Sequence, residues 1–149
     1  MGLKFLVFFV CVGVASAFLA SYENCSEKCS IDEIRIDPCN SKKRCTFKLG
    51  SNVSISFDFT PSFTATEMLT ALYSDQHNAK LTSIGNNGIV DACDLTPCPT
   101  EPGNQQLFNY TLHIGKKLPA ASYQFRWQLW NKNNEEEYCC FKTNVRLRK

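Results

Sequence analysis

The chain reads as an all-β protein, a disulfide-stapled β-sandwich, on three grounds. Apolar residues recur at every second position along most of its length; no convincing stretch carries the 3.6-residue period of a helix; and its nine cysteines become eight once the amino terminus is set apart. At that terminus Lys4 precedes the apolar run Phe5 to Val14, and Ala15-Ser16-Ala17 follows as the small-residue pattern that signal peptidase cleaves after. The run is about ten residues, well short of the ~20 that cross a bilayer, so residues 1–17 read as a signal peptide and 18–149 as a single exported domain. The cut removes Cys11, and an even cysteine set in an oxidising compartment is a disulfide framework.

The strands follow in order. Ile34 and Ile36 alternate briefly before Pro38 ends the run. From Val53 to Phe59 every odd position is apolar and every even one polar, so Val53, Ile55, Phe57 and Phe59 share a buried face. Met68 to Tyr73 is a further strand, with Leu69, Ala71 and Tyr73 taken as inward and Thr70 as outward. Phe108, Tyr110 and Leu112 share one face while Asn109 takes the other. Tyr123, Phe125, Trp127 and Leu129 repeat the pattern of the second strand, and Cys140 to Leu147 closes the chain with Phe141, Thr143, Val145 and Leu147 inward. Between the strands lie turn-rich pieces: Asn86-Asn87-Gly88, Pro97 to Gly103, and the hairpin tip Asn131 to Asn134. Six or seven short strands at this spacing indicate a sandwich.

Three sequons, at Asn24, Asn52 and Asn109, are acceptor sites for glycans and place those asparagines at the surface. The formal charge of residues 18–149 is 15 basic against 14 acidic, which argues against a nucleic-acid partner. The run Glu135-Glu136-Glu137 is a solvated hairpin shoulder rather than a metal site, because calcium loops alternate their oxygen ligands and carry a glycine. An enzyme needs a nucleophile and a base. The chain offers two histidines, His77 and His113, no Gly-x-Ser-x-Gly elbow, and cysteines that the compartment oxidises, so neither catalytic residues nor a cofactor are expected.

Two cysteine pairs are local, Cys39 with Cys45 and Cys93 with Cys98. Cys25 and Cys29 are then left facing Cys139 and Cys140, in a pairing that the residues themselves leave open. Adjacent strand residues point opposite ways, so one of Cys139 and Cys140 joins the sheets and the other ties down the amino-terminal segment.

The stretch Ile31-Asp32-Glu33-Ile34-Arg35-Ile36-Asp37-Pro38-Cys39, then Cys45, Gly50 and the alternating strand to Phe59, resembles the opening of the ML lipid-recognition family. Lys117-Leu118-Pro119, Trp127-Gln128-Leu129, a polar hairpin tip and Cys140 resemble its close. This is the family of the soluble Niemann-Pick type C sterol carrier and the mite group 2 allergens. The resemblance implies an immunoglobulin-like sandwich of two antiparallel sheets, splayed to leave an apolar pocket. It also implies the bridges Cys25–Cys140, Cys39–Cys45 and Cys93–Cys98, which leaves the additional Cys29 and Cys139 for each other.

What it implies for function is a secreted, non-enzymatic carrier that buries a lipid or other hydrophobic small molecule, such as a sterol or fatty acid. The expected liners are Ile55, Phe57, Phe59, Leu69, Tyr73, Phe108, Tyr110, Tyr123, Phe125, Trp127, Phe141 and Val145, with Leu95 and Pro97 at the mouth. The proline-rich loop that lines the sterol carrier's entrance is replaced here by Leu81 to Ala92, rich in Gly and Asn, so a sterol is not implied. Shielding a sixteen-carbon chain at ~0.8 kcal/mol per methylene is worth on the order of 12 kcal/mol gross, less several kcal/mol of lost freedom. A monomer is expected, delivered outside the cell or to a lysosome-like compartment. Lys42, Lys43, Arg44, Lys116 and Lys117 would form a basic surface for transient membrane contact. The alternative is a secreted innate-immune or surface-contact module that senses microbial lipid, which would carry an exposed apolar patch.

Overall fold

A computed structural model describes residues 18–41, 43–74, 79–80 and 88–149. Eleven strands are present among them: β1 (Phe18–Leu19), β2 (Glu23–Asn24), β3 (Cys29–Asp37), β4 (Cys45–Lys48), β5 (Asn52–Pro61), β6 (Met68–Ser74), β7 (Ala79–Lys80), β8 (Ile89–Asp91), β9 (Gln106–His113), β10 (Ser122–Asn131) and β11 (Asn134–Arg148). They form two sheets. One is four-stranded in the order β1-β3-β5-β9; the other is seven-stranded, β2-β11-β10-β6-β7, with β4 added to β11 and β8 to β6. Every pairing is antiparallel except β4 with β11. The two sheets pack face to face as the alternation predicts, with Phe57, Phe59, Phe108, Trp127 and Phe141 among the fully buried residues between them.

The strict alternation of β5, β10 and β11 carries directly into burial. Val53, Ile55, Phe57 and Phe59 face inward on β5; Tyr123, Phe125, Trp127 and Leu129 do so on β10; Cys139, Phe141, Thr143, Val145 and Leu147 on β11. Strand β3 is less regular. Its register against β5 shifts between Ile31 and Glu33, so the buried set runs Cys29, Ile31 and then Ile34, Ile36. A bulge inserts one residue and thereby reverses which face the later residues take.

Strand β6 corrects the sequence reading. Leu72 lies opposite Trp127, Thr70 opposite Leu129 and Met68 opposite Asn131, so the inward face is Met68, Thr70, Leu72 and Ser74. Leu69, Ala71 and Tyr73 lie opposite Trp130, Gln128 and Arg126 on the outer face. The inversion has a chemical reason. The Thr70 hydroxyl accepts the indole N–H of Trp127 at 2.8 Å and donates to the Gln128 carbonyl at 3.0 Å, which makes a polar side chain acceptable, indeed required, inside the core. Thr70→Val should leave that indole N–H buried without an acceptor and lower stability by about 1 to 3 kcal/mol in urea denaturation, while Thr70→Ser should lose much less.

Four disulfides staple the sandwich. Cys29 of β3 and the fully buried Cys139 of β11 join one sheet to the other, and Cys25 and Cys140 fasten the amino-terminal segment to the outside of β11. Cys39–Cys45 closes the β3–β4 connection, and Cys93–Cys98 closes a loop after β8 that opens with a 3-10 turn, Ala92–Asp94. All the bridges that link different strands lie on the β3–β11 side; among the described residues none joins β9 to β6, on the opposite side.

Candidate functional site

The long axis of the sandwich has two unlike ends. Toward the β10–β11 hairpin the two sheets are in full contact. Phe57 stacks on Phe108 at 4.8 Å between ring centroids, meets Phe141 edge-on at 5.0 Å and Trp127 at 6.1 Å, and lies 6.1 Å from Phe59. Phe57, Phe59 and Phe108 form a floor rather than a pocket wall, with Trp127 and Phe141 standing at its edge.

Toward the other end the sheets part. There a cavity is lined by Ile36, Phe47, Val53, Ile55, Leu72, Leu112, Phe125, Trp127, Phe141, Thr143 and Val145. Strands from both sheets contribute, because β3, β5 and β9 end or begin at the same level as β4, β6, β10 and β11. Its walls are hydrocarbon and aromatic apart from Thr143, and the Thr143 hydroxyl is already committed to the Ser21 carbonyl at 2.9 Å. The space between atoms is about 340 Å³ with its opening, but only about 20 Å³ admits the centre of a water molecule. That is room for roughly one water. The cavity as it stands is closed, and a lipid chain fits only if the sheets move apart.

Of the fourteen residues expected to line a pocket, Ile55, Phe125, Trp127, Phe141 and Val145 do so. Phe57, Phe59 and Phe108 belong to the floor. Tyr110 packs edge-on against Trp127 at 5.9 Å without reaching the lining. Tyr123 packs beside Phe125, donates its hydroxyl to the Pro119 carbonyl at 2.8 Å, and borders an outside groove. Leu69 and Tyr73 face away from the cavity. Tyr73 instead borders a shallow depression with Ile89, Gln128, Trp130 and Glu135; the Arg126 guanidinium stacks over its ring at 5.1 Å, and partial burial raises its phenol pKa above the ordinary value. Leu95 packs against the core at the floor end and Pro97 is exposed, so neither stands at the cavity's mouth. Six liners escaped the sequence reading: Ile36, Phe47, Val53, Leu72, Leu112 and Thr143. Lys42, His77 and residues 81–87 of the loop expected at the entrance lie outside the described residues.

The outer surface is charged unevenly. Around the cavity end stand Lys43, Arg44, Lys48, Lys116, Lys117, Arg146 and Arg148, with Asp37 among them. Around the floor end stand Asp32, Glu67, Asp91, Asp94, Glu101 and Glu135 to Glu137, with Lys28 and Lys132 among them; Lys132 is paired to Glu67 at 2.8 Å. An open groove of about 610 Å³ on the basic end is bordered by Asn40, Ser41, Lys43, Arg44, Thr46, Ser122, Gln124 and Asn144. Tyr123 and Val145 border it too, so its walls are mixed polar and apolar. Gly50 in the β4–β5 turn has φ +81°, a backbone conformation that favours glycine, and a Cβ there would also displace the flexible Lys116 side chain, 2.7 Å away. The sequon residues Asn24, Asn52 and Asn109 are all exposed, Asn52 within 2.8 Å of His113 Nδ1.

Comparison with known proteins gives a consistent answer. Residues 20–147 match the ML domain. The MD-2-related lipid-recognition protein of Manduca sexta is 48% identical over 134 residues, covering 87% of this chain and 86% of that one. Among solved structures, a Niemann-Pick type C2 protein from the Japanese carpenter ant superposes with a TM-score of 0.72 at 21% identity, over 86% of this chain and 99% of that one. Chicken MD-1, solved in complex with lipid IVa, superposes with a TM-score of 0.55 at 16% identity, over 83% of this chain and 86% of that one.

Proposed function

This chain belongs to the ML domain family, and from that premise we propose that it is a secreted carrier that takes a single lipid or other hydrophobic small molecule between its sheets and transfers it by burial, without chemistry. The observation that carries the reading is the all-but-dry cavity, walled by both sheets, at the end where no aromatic floor closes it. The sheets are in full contact at the hairpin end and leave this small void at the other, slack end; there the Cys39–Cys45 bridge stands on the β3–β11 side, next to Val145, and among the described residues the β9–β6 side is the one that no bridge ties shut.

Opening is therefore a hinge about the β3–β11 side, and the ligand enters past β9 and β6. The basic residues around that end suit a membrane surface with anionic lipid, where a carrier would load. Export after cleavage at Ala17 agrees with four disulfides, which persist in oxidising compartments; the molecule is taken to act as a monomer, with glycans on the exposed sequons. A second reading, recognition of a larger lipid such as the lipid IVa held by chicken MD-1, draws on the membership of that protein in the same fold.

Native mass spectrometry of the secreted protein, with organic extraction of its cargo, tests the proposal. One lipid of defined mass per chain is the expected result; an empty protein that also takes up no sterol, fatty acid or polarity-sensitive dye overturns it. Filling the slack end should act in the same sense. Val53→Phe places a ring in the cavity, at a cost of about 1 to 3 kcal/mol in packing strain, and should lower lipid uptake at least tenfold in a protein whose circular dichroism is unchanged.

A further inference from the structure

We propose that the Ser74 hydroxyl is the polar anchor of the ligand, and that the ligand is accordingly an amphiphile bearing a single hydrogen-bonding head, a hydroxyl or a carboxyl, at the end that reaches β6. This rests on the carrier reading above and specifies the chemical class of its cargo.

Ser74 ends the inward face of β6. It lies opposite Phe125 and two residues beyond Leu72, and both of those residues line the cavity. It does not line the closed cavity itself; it flanks it on the side that opens. Only 2% of Ser74 is exposed, and its Oγ has no hydrogen-bond partner among the described residues. That sets it apart from the other polar side chains around the cavity. The Thr70 hydroxyl holds the Trp127 indole and the Gln128 carbonyl, and the Thr143 hydroxyl holds the Ser21 carbonyl.

A hydroxyl buried without a partner is a cost that alanine or valine at the same place would avoid, so serine is the wrong residue for a position that is only core. It becomes the right one when the partner arrives with the ligand. As the sheets separate, a chain that fills the cavity toward Phe47 and Ile36 brings its other end to β6, where Ser74 Oγ can donate to a carboxylate or exchange hydrogen bonds with a hydroxyl. A hydrocarbon with no head would leave the orphan as it was. Selectivity of this kind arises because a site with a buried polar group rejects an analogue that lacks the matching one.

The test is competition for the folded, secreted protein between 1-hexadecanol and hexadecane, both presented from cyclodextrin. Wild type is expected to favour the alcohol by about tenfold; Ser74→Ala should bring the ratio to about one with hexadecane affinity unchanged, and Ser74→Thr should restore the preference. An alcohol preference that survives Ser74→Ala overturns the inference and leaves the carrier reading standing; wild type that binds neither compound overturns the inference, and the carrier reading falls with it only if the protein is also empty and takes up no sterol, fatty acid or polarity-sensitive dye. Thermal unfolding of the ligand-free proteins gives a second readout. Ser74→Ala should melt at the same temperature as wild type or higher, because it removes an unpaired buried hydroxyl; a melting point lowered by several degrees would mean that the hydroxyl already has a partner in the folded protein, and would overturn the anchor role.

Discussion

Removing both bridges at the amino-terminal end of β11 is expected to destabilise the protein far more than twice the effect of removing either one. Cys25–Cys140 and Cys29–Cys139 close loops of sequence separation 115 and 110, and the second loop lies inside the first. In the loop-closure treatment a ring of that size removes about 5 kcal/mol of denatured-state entropy. With one bridge intact, however, the other closes only a small ring through residues 25–29 and 139–140, which is worth about 2 kcal/mol. Either paired replacement, Cys25→Ala with Cys140→Ala or Cys29→Ala with Cys139→Ala, should therefore cost about 2 kcal/mol plus whatever packing is lost. All four together should cost about 7, enough to exceed the stability of many domains. Urea denaturation of the three variants and wild type measures the coupling; strictly additive losses would show that the denatured chain does not sense the two bridges as alternatives.

Phe57→Ala is expected to cost about 3 to 5 kcal/mol, the upper range for a core aromatic. The ring is fully buried and touches four others, so its loss leaves a void that β-sheet backbones on both sides cannot collapse to fill. The contrast with Val53 is the informative part. Phe57 belongs to the floor, so its truncation should lower the denaturation midpoint with little effect on ligand preference in molecules that remain folded. Val53 belongs to the slack end, so enlarging it should do the reverse. Measuring midpoint and uptake on both variants separates core from pocket, a distinction that a hydrophobic pattern by itself does not contain.

That distinction marks the limit of what the sequence made legible. Strands β5, β10 and β11 are evident because each has one wet face and one dry face, which enforces alternation. Strand β6 was found but inverted. Ala71 on its outer side is fully buried next to β8, and Thr70 on its inner side is held by the Trp127 indole, so neither polarity nor size betrays the face. Strand β4 is four residues long and joins β11 in parallel, too short for a period to register, and so Phe47 was missed. Val53 and Ile36 were recognised as inward but not as liners, because alternation tells which way a side chain points and says nothing of its level along the sandwich. Level comes from register, and register depends on the pairing of distant strands and on the bulge in β3. Cys139 and Cys140 illustrate the same boundary: their opposite directions follow from adjacency, while their partners became visible only with family resemblance and then in the fold.

The uneven placement of charge has a consequence for motion. Cations at one end and carboxylates at the other, with a net charge near zero, make the molecule an electric dipole along the axis that runs from floor to cavity. Such a body is turned by a field more than it is pulled by one. Approaching an anionic sheet, it would rotate within about a Debye length so that the cavity leads, and added salt would abolish the alignment before it affected the fold.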